Sequence, residues 1–378
     1  LHQLRVHVDE YNTLPASGGL DRPRIRLHDL RAYPDVMRAP PSLFRDQELP
    51  VFIYRSDNLS DEQKEKIVDY RNYENAGRWY ILLDEAHKGD REDSKRQHIY
   101  SILARNGFLF NFSATFTDPR DVLTTAYDFN LACFIANGYG KHITILKQEN
   151  RAFRERDDYT HIEKQKIVLK ALLLLAYVRQ ARQNLPSGDD VAYHSPLLLV
   201  LVNSVNVEDA DLKLFFREVE RIAQGQVAAS AFAEAKAELW AELKTGPELL
   251  FEGTTFQADA ALYDALTLDS VRASVYHTAG AGSIEVLTRP SDRQEIAFKL
   301  KTADRPFALI KIGDITDWLK RELAEYEVVA GFDDEGYFER LNHDDSDINI
   351  LMGSRSFYEG WDSNRPNVIT YVNIGTGT

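Results

Sequence analysis

Four short apolar-rich runs constrain this chain more than any other feature. They are Trp79–Leu83 (WYILL), Phe108–Phe112 (FLFNF), Leu197–Val202 (LLLVLV) and Ile348–Met352 (INILM). Each has the length of a strand, and none shows the strict polar/apolar alternation of a strand with one face in water. Strands of this kind are buried on both faces, as in parallel sheets covered by helices. Between them lie polar segments with helical periodicity, about 94–105, 164–183 and 207–270. In 207–270 one stripe is Leu212, Phe215, Phe216 and Val219, and another is Phe232, Leu239 and Leu243. Strand and helix in alternation predict an α/β fold built on parallel sheets.

The chain has 378 residues, long for one domain and suited to two or three. The expected division is a first α/β domain over 1–145, a linker and helix over 146–195, and a second α/β domain over 196–378. Prolines 15, 23, 34, 40, 41 and 50 predict an irregular insertion over about 10–50, because proline breaks helices and central strands. Residues 51–54 read as a short strand, 61–73 as a charged helix, and 207–270 as a helical insertion in the second domain. Further strands are expected at 283–287, 296–300 and 307–312, and a helix at 315–325.

Composition narrows the class. At 44% hydrophobic and 28% charged residues the chain is neither disordered nor low-complexity. A net charge of -14 excludes a polycation that coats nucleic acid, but leaves room for a local basic groove. The single cysteine, Cys133, excludes an internal disulfide, fits a cytoplasmic compartment and reads as a small buried hydrophobe. The most apolar run, Ala171–Val178, is far shorter than the ~20 residues needed to span a bilayer. Leu1 at the start and Gly-Thr-Gly-Thr at the end lead us to expect a fragment of a longer protein.

Three motifs follow the apolar runs in order. Asp84-Glu85-Ala86-His87 comes directly after the first. Ligands bind at the carboxyl ends of parallel strands, and two adjacent carboxylates there suit phosphoryl transfer. Asp84 would hold Mg²⁺, largely through water, Glu85 would orient or deprotonate an attacking water, and His87 would sense the phosphate. The plainer alternative is a polar loop with Asp84 capping a helix. Ser113-Ala114-Thr115 follows the second run about 30 residues on, offering hydroxyls to a neighbouring loop. The third motif runs Gly353-Ser354-Arg355-Ser356-Phe357-Tyr358-Glu359-Gly360-Trp361-Asp362. Gly353 and Gly360 allow close backbone approach, Ser354 and Arg355 can donate to a phosphate, and Asp362 can accept from a ribose hydroxyl.

The order DEAH, SAT, then GSRSFYEGWDSNRPNV resembles superfamily 2 DEAD/DEAH-box helicases and translocases, most nearly the Res subunit of type III restriction enzymes. The resemblance covers about 80–118 and 340–374. It implies two RecA-like domains of the P-loop NTPase class, with an ATP site in the cleft between them. It implies Mg²⁺ and water-activating roles for Asp84 and Glu85, and nucleotide-to-nucleic-acid coupling by His87, Ser113 and Thr115. It implies nucleotide contacts from Gly360 and Asp362, nucleic-acid contacts from Ser354 and Arg355, and a motif IV position for 197–204. The implied cofactors are ATP and Mg²⁺. The implied partners are nucleic acid, most simply double-stranded DNA, and a modification (methyltransferase) subunit, with no membrane.

The departures are equally definite. No Gly-x-x-x-x-Gly-Lys-[Ser/Thr] loop precedes Asp84, and no arginine-rich motif VI follows. In Gly138-Tyr139-Gly140-Lys141 the hydroxyl residue is replaced by His142, so this segment reads as linker. The parent protein is therefore expected to be a nucleic-acid-dependent ATPase, and this chain alone to be inactive. The alternative is a non-hydrolysing nucleic-acid-binding module of a defence or repair complex. Glu234-Ala235-Lys236 has nuclease-like spacing but reads as a solvated helix face. His277 beside Gly280 and Gly282 reads as a plain loop, and His343 with Asp344, Asp345 and Asp347 as a polar turn.

Overall fold

The computed structural model describes residues 2–14, 22–38, 48–55, 59–60, 68–86, 95–116, 119–146, 160–185, 194–202, 211–247, 249–250, 256–331, 336–343, 345–354, 361 and 363–372. The chain divides into two compact units, Leu1–Gly140 and Lys141–Thr378.

The first unit begins with more order than its prolines predict. Helix α1 (His2–Thr13) lies beside strand β1 (Arg24–Asp29), joined by a reciprocal amide pair: Asn12 Nδ2 donates to Ile25 O, and Asn12 Oδ1 accepts from Ile25 N, both at 2.9 Å. Helix α2 (Tyr33–Arg38) follows, and then β2 (Glu48–Ile53), which pairs in parallel with β1. Pro50 is tolerated in β2 because this strand pairs on one side alone among the described residues, so the missing N–H breaks no second ladder. The irregular insertion expected over 10–50 thus contains two paired strands.

Strands β3 (Leu59–Ser60) and β4 (Val68–Asp69) form a second short parallel pair. The helix expected over 61–73 is not seen at its described end. Asp69 accepts from Arg71 N–H at 3.1 Å and pairs with the Arg71 guanidinium at 2.6 Å, which turns Tyr70–Tyr73 into a single 3₁₀ turn. Residues 61–67 lie outside the described residues.

Strand β5 (Tyr80–Leu83), helix α3 (Lys95–Leu103) and strand β6 (Phe108–Asn111) make a right-length β-α-β unit with parallel strands. Gly107 allows β6 to start hard against β5: a Cβ there would lie 2.0 Å from Trp79 O. Burial on both faces, expected for these two runs, is not found. Tyr80 and Leu82 keep 73% and 67% of their surface, and Phe108, Phe110 and Phe112 are exposed with them. β5 and β6 pair only with each other among the described residues, so one face of a two-stranded sheet has no covering layer there. The opposite positions, Ile81, Leu83 and Leu109, are half-buried, and α3 buries Ile99, Tyr100 and Leu103. The unit closes with α4 (Pro119–Leu123) and α5 (Leu131–Ala136), where Cys133 is half-buried instead of fully buried.

The second unit holds the main core. Its sheet has the strand order β11-β8-β9-β10-β12-β7-β13, in which β9 alone is antiparallel to its neighbours. In chain order the elements are α6 (His161–Gln183), β7 (Leu197–Val202), α7 (Asp211–Ala223), α8 (Ala229–Lys244), α9 (Ala260–Asp264) and α10 (Leu268–Tyr276). Then come β8 (Ile284–Arg289), β9 (Asp292–Leu300), β10 (Pro306–Lys311), α11 (Thr316–Arg321), β11 (Val328–Ala330), β12 (Ile350–Ser354) and β13 (Pro366–Val372). Helix α6 starts with a capping box between Thr160 and Glu163 and buries Val168, Leu169, Leu172, Leu173 and Leu175. The Leu212, Phe215, Phe216 and Val219 stripe of α7 is fully buried. Helix α11 is shorter than 315–325 because Leu323 N–H turns back to Trp318 O.

Strand β7 explains the fully apolar run LLLVLV. Leu198, Val200 and Val202 join the core under the helices, while Leu197, Leu199 and Leu201 join a second cluster on the other face with Leu309, Leu341 and Leu351. The molecule is therefore mixed α/β, with one large, mostly parallel sheet in the second unit. No helix among the described residues is long and apolar enough to cross a membrane.

Candidate functional site

In the first unit, the carboxyl ends of β5 and β6 bring two of the three motifs side by side. Leu83 stands opposite Asn111 in the parallel ladder. Beyond them Phe112 N–H donates to Leu83 O at 2.9 Å and Ala86 N–H donates to Phe112 O at 3.0 Å. These bonds lock the Asp84-Glu85-Ala86 turn against the start of Ser113-Ala114-Thr115. Ala86 is the buried anchor of its turn, while Asp84 and Glu85 are exposed. Asp84 Oδ1 accepts from the adjacent Glu85 N–H at 3.0 Å, and Ser113 Oγ accepts from Thr115 N–H at 3.1 Å, which closes the second motif as a side-chain turn.

Glu85 has φ 53°, in the left-handed region. That conformation suits glycine, and a longer side chain holds it at a steric cost, a recurrent property of functional turns. His87 lies outside the described residues. Asp84, Glu85, Ser113 and Thr115 are thus brought to one edge, as their order after the two strands predicts.

Two exposed carboxylates at a strand edge suit a hard divalent cation held mainly by water and by substrate oxygens, the usual manner of Mg²⁺. Among the described residues no three carboxylate, histidine or cysteine side chains are grouped so as to hold a metal ion.

In the second unit, β12, β7 and β13 end level with one another: Ser354 and Val372 both stand opposite Val202. Helix α7 packs on one face of this sheet, whereas Trp361 packs on the opposite face beside Phe338 at a ring separation of 5.6 Å. Ligands of α/β sheets bind outside the carboxyl ends of the parallel strands, the point at which β12, β7 and β13 stop together. Gly353 and the backbone of Ser354 lie at that point. Ser204, Arg355, Gly360 and Asp362 lie outside the described residues.

The opposite edge of this sheet carries polar residues with no motif to announce them. Arg365 is 2% exposed and donates to Ser195 O at 3.0 Å, Leu341 O at 2.7 Å and Ile348 O at 2.6 Å. It ties together the amino ends of β7 and β12. Asn349 donates to Val275 O at 2.8 Å and accepts from Arg179 Nη1 at 2.5 Å. Its neighbour His277 caps α10 in the left-handed conformation, its Nε2 2.8 Å from Asp347 O and 3.2 Å from Pro306 O. Burial pushes His277 below the ordinary histidine range and lowers the Arg179 guanidinium likewise. Lys141 donates to Asn364 O, to Pro366 O at 2.9 Å and to Asn367 Oδ1 at 3.2 Å, and its burial also depresses its ammonium. The local hint in sequence is Arg365, immediately before the proline that opens β13.

Other singled-out residues have structural partners. Asp345 pairs with Arg340 at 2.7 Å and Asp347 with Arg305 at 2.9 Å, while Asp344 lies outside the described residues. Glu234 pairs with Lys166 at 3.1 Å. Lys236 is not a solvated charge: it donates to Asp264 O at 2.9 Å and Leu266 O at 2.6 Å, bracing α8 to the end of α9. Comparison of the chain with protein-family models, with curated proteins and with solved structures finds no match.

Proposed function

We propose that the chain is the core of an ATP-dependent DNA helicase or translocase with RecA-like halves, belonging to a restriction or related defence system. The observation that carries this reading is the Ala86 N–H to Phe112 O bond, which sets the DEA and SAT turns edge to edge at the carboxyl ends of parallel strands. A coupling device needs that adjacency: a change of charge at one turn is felt by the other through a single backbone bond. The level carboxyl ends of β12, β7 and β13 support the same reading for the second unit.

In this reading Asp84 holds Mg²⁺, which supplies charge neutralisation of the phosphate oxygens when bound. Glu85 orients the attacking water and takes its proton. Ser113 and Thr115 transmit the state of that pocket to bound nucleic acid, and Ser354 and Arg355 touch the nucleic-acid backbone. Gly360 and Asp362 complete the nucleotide contacts, and His87 relays between the two. A cytoplasmic setting and a methyltransferase partner follow from the same resemblance. The reading also needs a phosphate-cradling Gly-Lys loop, which residues 1–378 do not contain before Asp84. The alternative reading is a nucleic-acid-binding module that does not hydrolyse ATP.

The test is ATP hydrolysis by the full-length protein carrying this chain, with and without double-stranded DNA, single-stranded DNA and RNA, in wild type and Glu85→Gln. Stimulation by one nucleic acid, lost in Glu85→Gln, is expected and names the track. Folded wild-type protein that binds nucleic acid but never hydrolyses ATP overturns the reading in favour of the binding module.

A further inference from the structure

Asn111 is the last residue of β6, two residues before Ser113. It continues the half-buried face formed by Ile81, Leu83 and Leu109, where an apolar side chain is the expected choice. Its Nδ2 donates to Asp121 Oδ1 on α4 at 3.2 Å, a link across ten residues of chain. Its buried Oδ1 meets no donor among the described residues. A half-satisfied amide in such a place contributes less to stability than a leucine would, because the desolvated oxygen is not compensated. Its presence therefore calls for a role other than packing.

The position supplies one. The chain between Asn111 and Asp121 contains the Ser113–Thr115 turn, and its near end is bonded to the Asp84–Ala86 turn through Phe112. The Asn111–Asp121 bond closes this segment at its base. Movement of α4 is passed to Phe112 and so to Ala86, while a broken bond lets α4 move without shifting the carboxylates.

We propose that Asn111 is a positioning residue that couples the Asp84–Glu85 turn to α4 through Asp121, making hydrolysis responsive to bound nucleic acid. The proposal rests on the ATPase reading above. Its test measures ATP hydrolysis by the full-length protein, with and without linear double-stranded DNA, for wild type, Glu85→Gln, Asn111→Leu, Asp121→Ala and Asp121→Asn.

In Asn111→Leu the unstimulated rate and the KM for ATP stay within twofold of wild type, the melting temperature is equal or higher, and the stimulation by DNA falls at least tenfold. Asp121→Ala loses the same stimulation and keeps the unstimulated rate, with a slightly lower melting temperature because the Asn111 amide is left without its acceptor. Asp121→Asn, which keeps an oxygen to accept the bond, retains stimulation within twofold. Stimulation preserved in Asn111→Leu overturns the proposal, as does a joint fall of both rates and the melting temperature. Equal damage by Asp121→Ala and Asp121→Asn also overturns it, and this pair decides the matter if Asn111→Leu does not fold. Wild-type protein that hydrolyses nothing overturns the ATPase reading and this proposal with it, whereas normal stimulation in every Asn111 and Asp121 variant overturns this proposal alone.

Discussion

Replacing Glu85 by glycine is expected to make the first unit more stable than replacing it by alanine, although both changes remove the same carboxylate. Glu85 sits at φ 53°. A residue with a Cβ in that region is crowded against its own carbonyl by about 1–2 kcal/mol, and glycine is not. Glycine gives back about 0.4–1 kcal/mol because its unfolded chain is freer. The difference leaves Glu85→Gly more stable than Glu85→Ala by about 0.5–1 kcal/mol. Both lack the side chain, so its exposed contacts cancel in the comparison and only the backbone term survives. The assay is urea denaturation with native-state hydrogen exchange read on the peptide spanning Tyr80–Ala86, whose Ala86 amide is bonded to Phe112 O. Stronger protection in Glu85→Gly than in Glu85→Ala is the expected result. Equal protection, or weaker protection in the glycine variant, refutes the claim that this turn holds backbone strain for the sake of a carboxylate.

Two further predictions concern the amino edge of the large sheet. Arg365→Met leaves the carbonyls of Ser195, Leu341 and Ile348 without their donor and is expected to cost about 3–5 kcal/mol, read as a lower urea midpoint of the second unit. An unchanged midpoint would show that these carbonyls are satisfied otherwise. His277 titrates below its ordinary 6.5 because it is buried, with Arg179 and Arg305 against it and Asp347 favouring its charge. Between its folded value and 6.5 the unfolded chain binds a proton that the folded chain does not, so its contribution is intact above pH 6.5 and is lost as the pH falls below that. Wild type is therefore expected to lose stability from pH 7 to 5.5 more steeply than His277→Gln, and parallel curves in urea titrations at those pH values would refute it.

Much of the second unit is legible from local chemistry. LLLVLV reads as a strand with both faces covered, and β7 is buried at every position. The stripe of α7 reads as a buried face because its spacing repeats the helical turn, and it is one. The first unit shows the limit of the same rule. WYILL and FLFNF share that pattern, yet Tyr80, Leu82, Phe108 and Phe110 are exposed, because burial depends on neighbours that an apolar run cannot supply for itself.

The candidate site divides in the same way. Asp84, Glu85, Ser113 and Thr115 are legible because motif and strand end coincide along the chain, and parallel pairing then carries both turns to one edge. The left-handed backbone of Glu85, the Asn111–Asp121 link and the three-carbonyl grip of Arg365 carry no such signature. By itself the sequence determined the strongly patterned strands and helices, β7 and α7 foremost, since hydrophobic period is a local property, whereas α1, β1 and α2 carry no such pattern. The tertiary structure alone decided which polar groups meet, because a hydrogen bond between Arg365 and Ser195 joins residues 170 positions apart and exists only once the sheet has brought them together.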